Sequence, residues 1–226
     1  MNDPLGWLFG AELHIGDQAI LWREVIGNLF GLASAFGGMR RRVWAWPVGI
    51  AGNVLLFTVF LGAVFDNPEQ ATLLGQASRQ VMFIAVSIYG WRRWRQTKGK
   101  GDGPAVTPRW ATWRERAVLV GGGLLAVAIL TPIFTALGSF EPVWADAWIF
   151  VGSVMATYAM ARGWVDFWMC WVAVDLVGVP LLLHSGFYPS AVLYAIYGGF
   201  VIWGYFVWRR AALTEGSAPE SEFTRG

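Results

Sequence analysis

The sequence predicts an all-α integral membrane protein with seven transmembrane helices, and three observations carry that expectation. Of the 226 residues, 56% are hydrophobic and only 14% charged, with a mean hydropathy of +0.47. A soluble domain is roughly 45–50% apolar and about 25% charged. The apolar residues fall into seven runs, each close to the roughly 20 residues that cross a bilayer. The cations also alternate: of 17 Lys+Arg, all but Arg23 and Arg79 lie at every second junction between runs. Six or eight spans would break that alternation.

Residues 1–18 lack a basic stretch followed by a long apolar core, so no cleaved signal peptide is expected, and they read as an interfacial segment. The first span covers about Ala19–Met39, with Arg23, Glu24 and Asn28 near its start, and Arg40-Arg41-Arg42 stops it. The second, about Val43–Phe65, opens Trp44-Ala45-Trp46-Pro47 and holds Asn53. Pro47 suits a first turn, where its missing N–H would be unpaired anyway. Asp66-Asn67-Pro68-Glu69 is an acidic turn before the third span, about Ala71–Trp94. There Gln76, Gln80, Phe83 and Ser87 share one helix face. The span ends Tyr89-Gly90-Trp91-Arg92-Arg93-Trp94, rings and guanidinium groups together, as a headgroup layer favours.

Residues 95–116, basic and rich in Gly and Pro, form the midpoint loop. The fourth span, 117–137, is nearly free of polar side chains and reads as a connector. Its Gly121-Gly122-Gly123 suits close helix packing better than phosphate binding. The fifth, about Pro142–Ala161, begins with Trp144, Asp146 and Trp148. The sixth, about Trp164–Leu183, carries Asp166, Trp168, Trp171, Asp175 and Pro180. The seventh, about Tyr188–Trp208, ends in Arg209-Arg210, and the polar stretch 211–226 is expected to be a disordered tail. The junctions without Lys or Arg hold Asp66, Glu69, Glu141 and His184. Positive charge marks the cytoplasmic side, which places the N-terminus outside and the C-terminus inside the cell.

A short repeat divides the chain further. Tyr89-Gly90-Trp91-x-x-Trp94 and Trp203-Gly204-Tyr205-x-x-Trp208 share the pattern aromatic-Gly-aromatic-x-x-Trp, 114 residues apart. Two triplets of the same orientation follow, 19–94 and 142–210, joined by the connector at 117–137. Duplicated helix units of this kind are known from transporters, with the substrate near the midplane.

No enzyme constellation is present in the pattern. His14 and His184 have no partner at metal-ligand spacing, and no Gly-Lys-Ser/Thr phosphate loop occurs. Neither catalysis nor a metal, cofactor or nucleic-acid partner is expected. Cys170, the single cysteine, cannot form an intrachain disulfide and reads as an inert thiol in an apolar run.

The informative residues are the embedded polar ones: Glu24, Asn28, Asn53, Gln76, Arg79, Gln80, Asp146 and Asp175. Polar groups in a bilayer are costly and turn inward. One reading has them pair with each other to hold the bundle, Arg79 with a carboxylate for example. The other has them line a solute path with Trp46, Trp168, Trp171, Tyr188, Tyr194 and Tyr197. Flat rings with neutral amides suit an uncharged, hydroxylated, heteroaromatic solute. Asp175 is the candidate carboxylate if a proton is coupled.

At these residues the chain resembles the PnuC family of vitamin transporters. The likeness rests on Trp46-Pro47-Val48-Gly49-Ile50 with Asn53, on Gln80 followed by Tyr89-Gly90-Trp91-x-x-Trp94, and on Trp168, Asp175, Pro180, Tyr188 and Tyr194. It covers about residues 20–210. It implies a SWEET-like three-plus-one-plus-three plan, a homotrimer, and facilitated diffusion trapped by intracellular phosphorylation. Members carry nicotinamide riboside, thiamine or riboflavin. Those that take nicotinamide riboside usually show an acidic residue, Asn and Trp at the start of the sixth helix, where this chain has Asp166-Phe167-Trp168. The run Trp22 to Asn53 looks closest to the actinobacterial RibM-type riboflavin branch, and an apolar Phe167 suits a tricyclic ring, although Phe167 could equally face lipid. The substrate-binding set expected is Trp46, Asn53, Gln76, Gln80, Trp168, Trp171, Asp175, Tyr188 and Tyr194. A membrane scaffold or receptor that transports nothing is the reading from another class.

Overall fold

The computed structural model describes residues 12–15, 18–61, 74–99, 103–138, 142–184 and 188–215, and side chains from 21 onward except 74–76, 182 and 184–194. Among the described residues are seven α-helices and one two-stranded antiparallel pair. They are β1 (Glu12–Ile15), β2 (Gln18–Leu21), α1 (Trp22–Met39), α2 (Ala45–Phe60), α3 (Leu74–Thr97), α4 (Trp113–Ala136), α5 (Val143–Ala161), α6 (Phe167–His184) and α7 (Tyr188–Glu215).

The strand pair replaces the start expected for the first span. Its register sets Glu12 against Leu21 and Ile15 against Gln18, which leaves two residues to connect the strands. Gly16-Asp17, which stand between them in the sequence, lie outside the described residues, and such a dipeptide is a sequence signal for a two-residue hairpin. Helix α1 therefore begins at Trp22 rather than Ala19. At the other end α7 continues to Glu215, since Ala211-Ala212-Leu213 are strong helix formers. The expected tail from Ala211 thus begins as helix, and 216–226 lie outside the described residues.

Two compact units divide the chain at Ala105 and Val106. In the first, α2 packs on both α1 and α3. Helices α1 and α2 cross backbone to backbone: a Cβ added at Gly52 would stand 2.8 Å from the Gly27 carbonyl oxygen. Small residues at such crossings let helices approach where lipid offers no hydrophobic drive. The turn after α1 puts Arg41 at a φ of 56°, and its carbonyl accepts the Ala105 N–H at 2.8 Å. Thr97 Oγ1 in turn donates to the Ala105 carbonyl at 2.8 Å, which fastens the chain after α3 to the end of that helix.

In the second unit α5 packs on α4 and α6, and α6 packs on α7. Helix α4 opens on a capping box: Thr112 Oγ1 accepts the Glu115 N–H at 3.3 Å, and Glu115 Oε2 accepts the Thr112 N–H at 2.8 Å. This satisfies two of the donors that every helix start leaves unpaired. Of the three glycines expected to pack, Gly123 meets Met155 of α5, while Gly121 and Gly122 face open space. Helices α4 and α5 are each long and apolar enough to cross a membrane. The apolar residues of α4 are largely exposed, Leu124, Leu125 and Ile129 among them, as a lipid-facing surface requires.

Position by position, α1 with the turn and start of α2 matches α5 with the turn and start of α6 at an offset of 122 residues. Both first helices carry a tryptophan in the first turn, Trp22 or Trp144, and an acid two residues on, Glu24 or Asp146. Both end on an arginine C-cap, Arg40 or Arg162. The next residue has a positive φ in both, Arg41 at 56° and Gly163 at 74°. The second helices then begin at Ala45 and Phe167.

Candidate functional site

The two units build the same aromatic seat from matching residues. In the first, the Trp46 indole at the start of α2 lies over Gly90 of α3, where an added Cβ would overlap the ring. Trp94, one turn further along α3, meets Trp46 edge to face with ring centroids 5.2 Å apart. In the second, the Trp168 indole at the start of α6 lies over Gly204 of α7 in the same way. Trp208 stands edge to face to Trp168 at 6.4 Å. Gly90, Trp94, Gly204 and Trp208 are the invariant members of the repeated motif, so the motif is the floor and wall of a tryptophan pocket. The sequence displayed the repeat without showing what it held.

Each unit leaves polar atoms buried without a hydrogen-bond partner among the described residues: Trp46 Nε1 and Gln80 Oε1 in the first, Trp168 Nε1 and Asp175 Oδ2 in the second. Native interiors pair nearly all such groups, and an unpaired one is a standing cost of about 1–3 kcal/mol. Gln80 lies on the buried stripe of α3 with Ala77, Ser87, Gly90 and Trp94. Asp175 lies two helical turns beyond Trp168, and its Oδ2 faces Gly198 of α7, where an added Cβ would be 3.6 Å away. Asn53 stands two turns beyond Trp46, so the amide and the carboxylate occupy matching places in the two units.

The remaining expected residues divide. Trp171 is half-buried, and Asn53 is half-buried on α2. The side chains of Gln76, Tyr188 and Tyr194 lie outside the described residues. Glu24, Arg79 and Asp146 each take part in an interaction, and Asn28 Nδ2 donates to the Glu24 carbonyl one turn earlier in its own helix at 3.0 Å. Phe167 does not face lipid: it is 2% exposed, tilted against Trp168 at 4.2 Å and edge-on to Trp208 at 4.8 Å.

Asp166 departs from its expected place on the sixth helix. It sits in the turn before α6, where Oδ2 accepts the Ala111 N–H at 2.8 Å and Oδ1 accepts Arg116 Nε–H at 2.6 Å. Beside it the Arg109 N–H donates to the Gly163 carbonyl at 3.0 Å, and Val165 N–H to the Arg109 carbonyl at 2.9 Å. Arg109 also grips Glu115 with both guanidinium nitrogens, at 2.7 and 2.8 Å. That grip, with the Thr112 N–H second, holds the Glu115 carboxyl down at about 2, ahead of the apolar run of α4. Arg162 reaches the same carboxylate at 3.5 Å and lies 5.2 Å from the Trp164 ring.

Comparison with known proteins gives one family throughout. The family described as Nicotinamide mononucleotide transporter matches residues 21–210. The riboflavin/roseoflavin transporter RibM of Streptomyces davaonensis is 40% identical over 207 residues, covering 90% of this chain and 92% of that protein. The nicotinamide riboside transporter PnuC of Escherichia coli is 26% identical over 228 residues, covering 89% and 91%. Among solved structures, the crystal structure of the vitamin B3 transporter PnuC aligns with a TM-score of 0.66 at 18% identity, covering 85% of this chain and 82% of that one. That likeness speaks for the fold.

Proposed function

Since the chain belongs to the nicotinamide mononucleotide transporter family, and is thus a multi-pass membrane transporter, we propose that its substrate is riboflavin, taken up by facilitated diffusion. The observation that carries the proposal is the set of buried polar atoms without partners among the described residues: Trp46 Nε1 and Gln80 Oε1 in the first unit, and Trp168 Nε1 and Asp175 Oδ2 in the second. A flavin offers ring carbonyls to indole N–H donors, and an imide N–H and ribityl hydroxyls to an amide oxygen and a carboxylate. Its tricyclic face suits stacking on indoles. The 40% identity to a riboflavin transporter over nearly the full length of both chains supports this choice.

Within that proposal Trp46, Asn53, Gln76, Gln80, Trp168, Trp171, Asp175, Tyr188 and Tyr194 contact the vitamin. The helices form two three-helix repeats, α1–α3 and α5–α7, joined by α4. The offset of 122 residues between the first two helices of each triplet, the motif repeated 114 residues on in the third, and the paired tryptophan seats support the repeat. The N-terminus lies outside and the C-terminus in the cytoplasm, as the arginine distribution favours. The family resemblance supports a homotrimer and trapping of the vitamin by intracellular phosphorylation. Nicotinamide riboside is the second reading, favoured by the 26% identity to a transporter of that vitamin.

Uptake of labelled riboflavin and nicotinamide riboside, by cells that express this chain and lack their own carriers, tests the substrate. Saturable riboflavin uptake is expected, with equal internal and external concentrations in liposomes that contain no kinase. Preference for nicotinamide riboside would replace the first reading with the second. Uphill accumulation driven by a proton gradient and abolished by Asp175→Asn would overturn facilitated diffusion.

A further inference from the structure

A glycine inside a spanning helix is commonly required by a close neighbour, and Gly198 of α7 is not. At Gly52, Gly90 and Gly204 the packed neighbour leaves no room for an added Cβ. At Gly198 an added Cβ would stand 3.6 Å from Asp175 Oδ2, which is ordinary van der Waals contact. That oxygen is the one neighbour within 4 Å among the described residues beyond the adjoining helix backbone. The backbone there is regular helix without a positive φ, and glycine weakens a helix relative to alanine. Neither packing nor backbone angle asks for glycine, so what the residue provides is the space. The motif offset of 114 residues sets Ile84 of α3 at the position of Gly198, and the offset of 122 sets Asn53 at the position of Asp175. The first unit thus carries a branched aliphatic chain where the second carries none.

We infer that Gly198 is a specificity-determining residue: the space it leaves beside Asp175 receives a hydroxyl group of the substrate's sugar-alcohol chain. Asp175 Oδ2 is buried without a hydrogen-bond partner among the described residues, so its donor comes from the cargo. An ionised carboxylate only accepts, and hydroxyls are the donors that such a chain repeats. A hydroxyl oxygen is about the size of the missing methyl group. Placed about 1 Å nearer than the added Cβ, it lies at hydrogen-bond distance from Oδ2. Both residues fall near the middle of their helices' apolar runs, Phe167–Leu183 and Tyr188–Trp208, the depth at which transporters hold their substrates. The inference rests on the riboflavin reading and names the part of the vitamin that meets the second unit.

The test is titration of the purified full chain with riboflavin and with lumiflavin, which keeps the ring system and has a methyl group in place of the ribityl chain. The added methyl group has room and alanine favours helix, so Gly198→Ala should fold with an unliganded Tm no lower than the parent's. It should weaken riboflavin binding about tenfold, the cost of one unmade hydrogen bond to a charged group, and leave lumiflavin binding unchanged. Asp175→Ala, which leaves α7 untouched, should shift the same ratio. Gly198→Ala should add no further loss in that background, because both variants remove one contact. Equal losses for the two flavins would place the ring edge and not the chain beside Gly198, and overturn the inference. Unchanged riboflavin affinity in Gly198→Ala, or fully additive losses in the double variant, overturns it also. A parent protein that binds neither flavin overturns the riboflavin reading itself, and this inference with it.

Discussion

Gly204 of α7 lies directly beneath the indole of Trp168, close enough that a single added methyl group would occupy the ring's own space. Gly90 and Trp46 stand in the same relation in the first unit. Both contacts are set by glycine's lack of a side chain and not by any unusual backbone angle, because each glycine sits inside a regular helix.

Gly204→Ala and Gly90→Ala should each lower stability by about 1–3 kcal/mol, the usual cost of forcing a methyl group into a packed interior. Thermal unfolding of purified protein measures it. Trp46→Phe should restore part of the loss in Gly90→Ala, since the smaller ring vacates the clashing position. Equal Tm in Gly90→Ala and the parent would show that the ring is free to move.

Asp166 and Arg116 should be coupled. Their side chains are 14% and 40% exposed, so solvent screens the pair and the expected coupling is modest, about 0.5–1 kcal/mol. A double-mutant cycle with Asp166→Asn and Arg116→Gln isolates it. The coupling should shrink as salt is added. A value of zero at low salt would mean that Asp166 serves only the Ala111 N–H.

Phe167→Asn tests the basis of vitamin choice. The ring is buried between Trp168 and Trp208, and deletion of such a ring costs about 3–5 kcal/mol. A fall in Tm is therefore expected whatever the ligand. The ratio of affinities for the two vitamins is the informative quantity, and it should move toward nicotinamide riboside. Ligand titration of folded protein with each vitamin measures the ratio. If it is unchanged, Phe167 shapes the fold and not the preference.

A reporter fused after Glu215 should be cytoplasmic, because α7 carries Arg209 and Arg210 past its apolar run before it ends. A reporter found outside would overturn both the orientation and the alternation of charge on which it rests.

The seven helices were legible because apolar length and arginine clusters are properties of single stretches. What escaped lies in pairings. The strand pair at Glu12–Ile15 and Gln18–Leu21 escaped because residues 1–18 read as an interfacial segment, although the dipeptide Gly16-Asp17 is a hairpin signal in the sequence. Asp166 reads as helical because the stretch from Trp164 to Leu183 is apolar apart from Asp166 and Asp175, and only its bonds to Ala111 and Arg116 place it in a turn. The offset of 122 residues was masked by compensation. Phe30 packs against Gly52 in the first unit, and at the matching positions Gly152 packs against Val174, so bulk and space have changed partners. Volume is kept and identity is lost, which pattern reading along one chain does not detect.

Arg41 and Gly163 hold matching left-handed positions, yet only one of them is the residue that adopts that shape without strain. An L-residue there gives up about 1 kcal/mol relative to glycine. On the proposed orientation the chain accepts that loss and keeps a cation on the cytoplasmic side, where membrane insertion reads cations. Arg41→Gly would therefore be favoured in a screen for thermal endurance and disfavoured in one for correct orientation. Efforts to harden this protein by swapping each turn residue for its easier counterpart should leave this one alone.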